Sequence, residues 1–239
     1  MNQDLTPLLS VFRLSVSFIR PTLQLALSEV DFSVPKNSII GIVGESGSGK
    51  SLTAMSIMGL LDMSNTESLG QITFEGQVIF PNQPEAARKH RGRHIAMIFQ
   101  DPMTALNPAK RCGAQVDEML IYQLALSKEK AKAKTIELFE QVKLPDPNSI
   151  YRRYPHQLSG GQMQRVMIAM AISCAPKLLI ADEPTTALDV TVQKDIIELL
   201  MEIQAKTGMS MIFISHDLAL VSEIAHEILV MYQGRIVEK

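Results

Sequence analysis

From Gly44 to Ser51 the chain reads Gly-Glu-Ser-Gly-Ser-Gly-Lys-Ser, a G-x-x-x-x-G-K-[ST] spacing. Such a run can hold phosphate. Gly44, Gly47 and Gly49 let backbone N–H groups converge on phosphate oxygens, with Glu45, Ser46 and Ser48 in the same binding set. A helix start behind the loop adds its positive dipole end, and Lys50 brings a full charge. Ser51 can put its hydroxyl on Mg²⁺. A second group is the acid pair Asp182-Glu183, which ends the apolar run Leu178-Leu179-Ile180-Ala181. Asp182 suits the magnesium shell, because that ion takes one or two carboxylates beside phosphate oxygens and retained waters. Glu183 can then orient or deprotonate a water for in-line attack on a terminal phosphate. The third group is Leu158-Ser159-Gly160-Gly161-Gln162, leading into the helical Met163-Gln164-Arg165-Val166. Ser159 and the two glycines again present N–H groups at a helix start, so a second phosphate-binding surface is encoded.

These groups must be carried by elements of matching kind. Short apolar bursts over 11–18 and 27–34 predict a strand pair, and Ser38–Val43 a strand that meets glycines and gives way to a helix over Leu52–Met58. Residues 64–94 are polar and turn-rich, and their basic patch of Arg88, Lys89, Arg91 and Arg93 reads as a solvated surface. Ile95–Phe99 predicts another strand, and the proline-flanked stretch 101–108 breaks regular structure. Helical patterns follow over 111–126 and 128–142, the second with a lysine-rich outer face from Lys128 to Lys134. A closing series predicts a strand over Lys177–Asp182, a helix over 190–206, a strand over Ser210–Ser215, a helix over 218–225 and a strand over Ile228–Tyr232. Strands alternating with helices imply an α/β chain with a mostly parallel sheet covered on both faces, interrupted by a helical insert. The carboxylates at the end of a sheet strand then lie where nucleotides bind in such folds.

The composition bounds the partners. A length of 239 residues suits one domain with a lobe, and 46% hydrophobic residues supply a core. With 23 basic residues against 25 acidic ones there is no net positive field to hold nucleic acid or an anionic membrane. Trp is absent, which leaves little for base stacking. Cys112 and Cys174 form no C-x-x-C pair, so neither a disulfide framework nor a thiolate zinc site is indicated, and a reducing cytoplasm fits. The N-terminus, with Asp4 and no basic residue before Arg13, does not read as a secretory signal. The longest apolar stretch, Val166–Ala175, is far short of the ~20 residues that cross a bilayer, so any membrane role runs through a partner. Met163, Met167 and Met170 form a helical stripe that reads as core packing.

A phosphate loop alone leaves kinases, GTPases, helicases and transporters open. With Leu158-Ser159-Gly160-Gly161-Gln162 before a strand that ends in Asp182-Glu183, the sequence resembles the nucleotide-binding subunits of ATP-binding cassette (ABC) transporters. The resemblance implies a P-loop NTPase fold of ABC type, with an N-terminal antiparallel β part and an α-helical subdomain: residues 1–99 and 166–239 as core, 100–165 as helical subdomain. It extends the nucleotide-binding set to Leu52 and implies that Gln100 touches Mg²⁺ and the attacking water. Ala187-Leu188-Asp189 would be the loop that crosses between subunits, His216 the switch histidine at the γ-phosphate, and Phe18 the adenine-stacking aromatic. It further implies two cassettes head to tail, each ATP lying between one chain's Gly44–Ser51 loop and the other's Ser159 loop. Two transmembrane permeases would sit above, with a solute-binding protein acting indirectly and the whole at the cytoplasmic side of the inner membrane.

The stretches Phe99–Pro108 and Asp182–Gln193 look like the dipeptide, oligopeptide and nickel importer branch. Members of that branch pair sister cassettes as well as identical ones, and this chain is expected to take a sister. They usually continue beyond the equivalent of Glu238, sometimes with cysteines for an iron–sulfur cluster; with Lys239 last, no cluster is expected. Two other readings remain open: a soluble ABC ATPase acting on nucleic acid or ribosomes, and a module that binds ATP without turning it over. Glu183 and His216 argue against the second.

Overall fold

A computed structural model describes residues 6–81, 84–186 and 188–239, so Ala187 of the expected crossing loop and Asp4 lie outside the described residues. In chain order the elements begin with strands Leu9–Phe18 (β1), Gln24–Val34 (β2) and Ile39–Val43 (β3), helix Lys50–Met58 (α1), strands Thr66–Phe74 (β4) and Gln77–Phe80 (β5), and helix Pro84–His90 (α2). Strand Ile95–Ile98 (β6) then precedes helices Pro102–Ala105 (α3), Cys112–Leu124 (α4), Lys128–Gln141 (α5), Pro147–Arg152 (α6) and Gly160–Ile172 (α7). Strand Leu178–Asp182 (β7), helix Val190–Thr207 (α8), strand Ser210–Ser215 (β8), helix Leu218–Ile224 (α9) and strands Glu227–Tyr232 (β9) and Arg235–Glu238 (β10) complete the chain.

Two compact units emerge, Met1–Arg91 with Gly208–Lys239, and Gly92–Thr207. In the first, β2, β1, β4 and β5 form an antiparallel sheet in that order. Its inner face is an alternating row, Leu9, Val11, Leu14 and Val16 on β1 against Leu27, Val30, Phe32 and Val34 on β2, all buried. The same unit holds β3 between β8 and β9, parallel to both, with β10 antiparallel at the edge. Every residue of β3 and β8 is buried, as continuous apolar runs in a parallel sheet require. The second unit pairs β6 with β7 in parallel and adds the helices. There α4 and α5 pack through Val116, Leu120, Ala131, Leu138 and Phe139, while Asp117 accepts from the Thr135 hydroxyl at 2.6 Å and the Tyr151 hydroxyl at 2.5 Å.

The span 64–94, read from sequence only as polar and turn-rich, supplies β4, β5 and α2. Its basic patch is not uniformly solvated. Arg88 is exposed beside Glu85, but the half-buried Arg91 guanidinium donates to the carbonyls of Met58 at 3.0 Å and Gly59 at 2.7 Å, closing the C-terminus of α1. Those carbonyls have no partner within the helix, and a cation there also meets the negative dipole end. The break at 101–108 contains the single turn α3, begun by Asp101, whose carboxylate accepts from Met103 N at 2.8 Å. Met163 and Met167 are core residues and Met170 is half-buried, in keeping with packing. Both cysteines are free and buried, which pushes the Cys112 thiol up to about 11 and the Cys174 thiol in the same direction.

Candidate active site

In the first unit the loop between β3 and α1 is shaped by close approach. A Cβ on Gly44 would lie 2.2 Å from the Met231 carbonyl oxygen of β9 and 2.8 Å from the Ser48 hydroxyl, so only glycine lets the chain leave the sheet here. Gly49, the residue before α1, sits at φ 105°, and a Cβ there would meet Leu27 of β2 at 2.6 Å. Gly234 N donates to Ser48 O at 2.9 Å, tying the loop to the β9–β10 turn. Lys50, 5% exposed, folds back so that Nζ donates to the Gly44 and Glu45 carbonyls at 2.8 and 2.9 Å. Its ammonium is thereby fixed at the loop.

The Ser48 hydroxyl is buried, its residue 3% exposed, and it has no hydrogen-bond partner among the described residues. A buried orphan of this kind costs about 1–3 kcal/mol unless something supplies the missing bond. A phosphate oxygen on the loop would. The first turn of α1 carries no acidic residue to neutralise its dipole, and Ser51 and Leu52 stand half-buried in that turn. The parallel register pairs Val43 with Ser215, so Gly44 and His216 emerge side by side from the carboxyl ends of β3 and β8. His216 is exposed, between Ser215, whose hydroxyl accepts from Asp217 N at 3.0 Å, and Asp217, which caps α9 through Leu220 N at 3.1 Å. Phe18, half-buried, closes β1 opposite Gln24 and Thr66, two residues past the pairing of Val16 with Leu27.

The second unit gathers the other half of the candidate residues. Ile98 of β6 pairs with Ala181 of β7, so Gln100 and Glu183, each two residues farther on, come together: Gln100 Nε2 donates to Glu183 Oε2 at 2.9 Å. The Thr186 hydroxyl donates to the same oxygen, also at 2.9 Å. Glu183 is half-buried at φ 46°, a left-handed conformation uncommon for a residue with a side chain. Asp182, 5% exposed, is the last residue of β7. Gln164 in α7, 1% exposed, donates to the Pro184 carbonyl at 2.6 Å and pins the turn that follows Glu183.

The Ser159 hydroxyl caps α7 by accepting from Gln162 N at 3.3 Å, and the Gln162 side chain accepts in return from Ser159 N at 3.2 Å. Ser159 and Gly160 remain exposed at that helix start. A Cβ on Gly161 would sit 2.8 Å from Val192, and one on Gly160 3.4 Å from Leu188, which fits the Ser159 loop against the start of α8. Asp189 caps α8, its carboxylate accepting from Val192 N at 3.1 Å. Among the described residues no cluster of three or more His, Cys, Asp or Glu side chains can hold a metal. A magnesium ion shared with phosphate asks for fewer, and the Asp182 carboxylate and Ser51 hydroxyl are of the oxygen type it takes.

Thr186 and Gln164 carry no site role in the sequence, whereas both hold the turn at Glu183. Thr186 stands at the i+3 position of a turn begun by Glu183, its amide on the Glu183 carbonyl at 3.3 Å, a spacing that signals side-chain return. Gln164 lies between Met163 and Arg165 with nothing in its spacing to mark it.

Comparison with known proteins agrees with this geometry. The family described as ABC transporter matches residues 27–186. The dipeptide transport ATP-binding protein of Haemophilus influenzae is 52% identical over 97% of this chain and 71% of its own length. The oligopeptide transport ATP-binding protein of Bacillus subtilis is 47% identical over 98% of this chain and 66% of its own. Among solved structures, a dimeric post-hydrolysis state of the ATP-binding cassette MJ0796, bound to ADP and Pi, superposes with a TM-score of 0.83 at 25% identity, covering 96% of this chain and 97% of that one.

Proposed function

This chain belongs to the ABC transporter family, an ATP-hydrolysing cassette, and on that footing we propose that it is the ATP-binding subunit of a prokaryotic importer of di- or oligopeptides. The peptide assignment is supported by the relatives whose names carry that cargo, at 47–52% identity over 97–98% of the chain. The observation that carries the catalytic part is the Glu183 carboxylate, held at the end of β7 by Gln100 and Thr186.

The residues divide the work by chemistry. Amides of Gly44–Ser51, the Ser48 hydroxyl and Lys50 bind and neutralise the β- and γ-phosphates, with Phe18 under the adenine. Ser51 in the first unit and Gln100 and Asp182 in the second are the residues that would hold Mg²⁺, which when bound would supply positive charge to the phosphates. Glu183 accepts the proton of the water as its oxygen attacks the γ-phosphorus in line and the bond to ADP breaks. His216 steadies the γ-phosphate. Ser159–Gln162 address the nucleotide held by a second cassette, and Asp189 belongs to the loop that crosses to it.

No helix among the described residues is long and apolar enough to cross a membrane. The work is therefore passed to two permeases at the cytoplasmic face of the inner membrane, with a solute-binding protein beyond them. A cleft of about 800 Å³ on the helical unit, walled by Ala114, Ile121, Tyr122, Lys132 and Tyr151, supports such a docking. The test is Glu183→Gln: turnover is expected to fall at least about a hundredfold while ATP is retained. Unchanged hydrolysis would remove Glu183 from its role, and strong activation by RNA or DNA without permeases would favour a nucleic-acid ATPase.

A further inference from the structure

The carboxylate of Glu183 projects from a backbone at φ 46°, on a turn rather than on the strand itself. A glutamate carboxyl has three side-chain torsions beyond its backbone to settle, so its aim depends on what grips it. Two donors do. Gln100 Nε2 reaches Oε2 from the end of β6, and the Thr186 hydroxyl reaches the same oxygen from inside the turn, each at 2.9 Å. They differ in what they can hold. Gln100 is exposed on the segment leading into Asp101 and α3, whereas Thr186 is locked to Glu183 by the turn, its own amide on the Glu183 carbonyl at 3.3 Å. The loop is pinned in addition by Gln164 at the Pro184 carbonyl.

We propose that Thr186 is a positioning residue for ATP hydrolysis: its hydroxyl fixes the rotamer of the Glu183 carboxylate from within the same turn and keeps that aim when Gln100 turns its amide to metal and water. Its role is exerted through Glu183. The inference rests on the assignment of Glu183 as the group that activates water.

Thr186 is exposed, and Thr186→Val keeps its shape and branching while deleting the donor. With the full chain and MgATP, Thr186→Val is expected to lower kcat about tenfold with KM for ATP changed less than about twofold, because only the chemical step loses its aim. Thr186→Ser restores the hydroxyl and is expected to return kcat to within about twofold of the parent. Glu183→Gln, run beside them, separates the failures. If it abolishes turnover while Thr186→Val turns over normally, the role of Thr186 is wrong and that of Glu183 stands. If Glu183→Gln itself turns over normally, the underlying assignment falls and this one with it. A serine variant as slow as the valine one, or a valine variant that raises KM alone, would also overturn it.

Discussion

Ser48 and Lys50 make opposite contributions to a loop without nucleotide. The Ser48 hydroxyl is buried with no partner among the described residues, while Lys50 satisfies the loop by bonding to the Gly44 and Glu45 carbonyls. Removing each should therefore separate stability from binding. Ser48→Ala is expected to leave the thermal midpoint of the nucleotide-free chain unchanged or raised, because the unpaired hydroxyl costs about 1–3 kcal/mol, and yet to weaken nucleotide binding. Calorimetry of the free chain and nucleotide titration together check this, and a destabilised free chain would contradict it. Lys50→Met is expected to lose about 2–5 kcal/mol of nucleotide affinity, roughly thirtyfold to a few thousandfold in Kd, since it leaves phosphate charge without its cation. At this scale the sequence was most legible. The spacing of Gly44–Ser51 points to a cradle because backbone geometry allows few other uses for it. The pairing of Gln100 with Glu183 was not readable, since it arises from the register of Ile98 with Ala181 across a sheet.

At the scale of elements, α1 ends on a residue from outside its own sequence. Arg91 supplies the donors for the Met58 and Gly59 carbonyls, so Arg91→Met is expected to destabilise the fold by about 1–3 kcal/mol, read from denaturant midpoints. Arg91→Ala and Arg91→Met with unchanged midpoints would place it among the solvated charges after all. In the helical unit, burial and then the neighbouring Asp117 raise the Tyr151 hydroxyl to about 12 from an ordinary 10. The folded state thus keeps a proton that the unfolded chain releases, so this contribution to stability is complete below about pH 10 and is lost as pH rises towards 12. Tyr151→Phe should flatten that alkaline loss in chemical denaturation, and an identical slope in both proteins would contradict it. Strands of the parallel kind were found from sequence because both faces are apolar, as in Ser210–Ser215. By contrast β4 was missed, since its outward residues Glu67, Leu69 and Gln71 are exposed and Gly70 sits at φ 92° against Arg13, which breaks any alternation. The six residues of α6 are too few to show a period, although Asp146 and Pro147 carry a helix-start signal in plain view.

For the molecule as a whole, membership of the ABC transporter family sets the class of work, an ATP-hydrolysing cassette. The overall class was legible because separate motifs agreed: a phosphate loop after a strand, a glycine pair capping a helix, and acids closing another strand. Cargo was not, because the residues that face nucleotide do not face peptide. Co-purification with two permeases, and peptide uptake lost in Glu183→Gln, are expected at this scale. If ATP is held by the Gly44–Ser51 loop of one cassette and reached by the Ser159 helix start of another, a crystal structure of the Glu183→Gln chain with MgATP and its partner cassette will show the γ-phosphate of each bound ATP within hydrogen-bond distance of a Ser159-type helix start from the opposite subunit. Nucleotide bound on Lys50, with the Ser159 loop turned away from every neighbouring subunit's ligand, would overturn that arrangement.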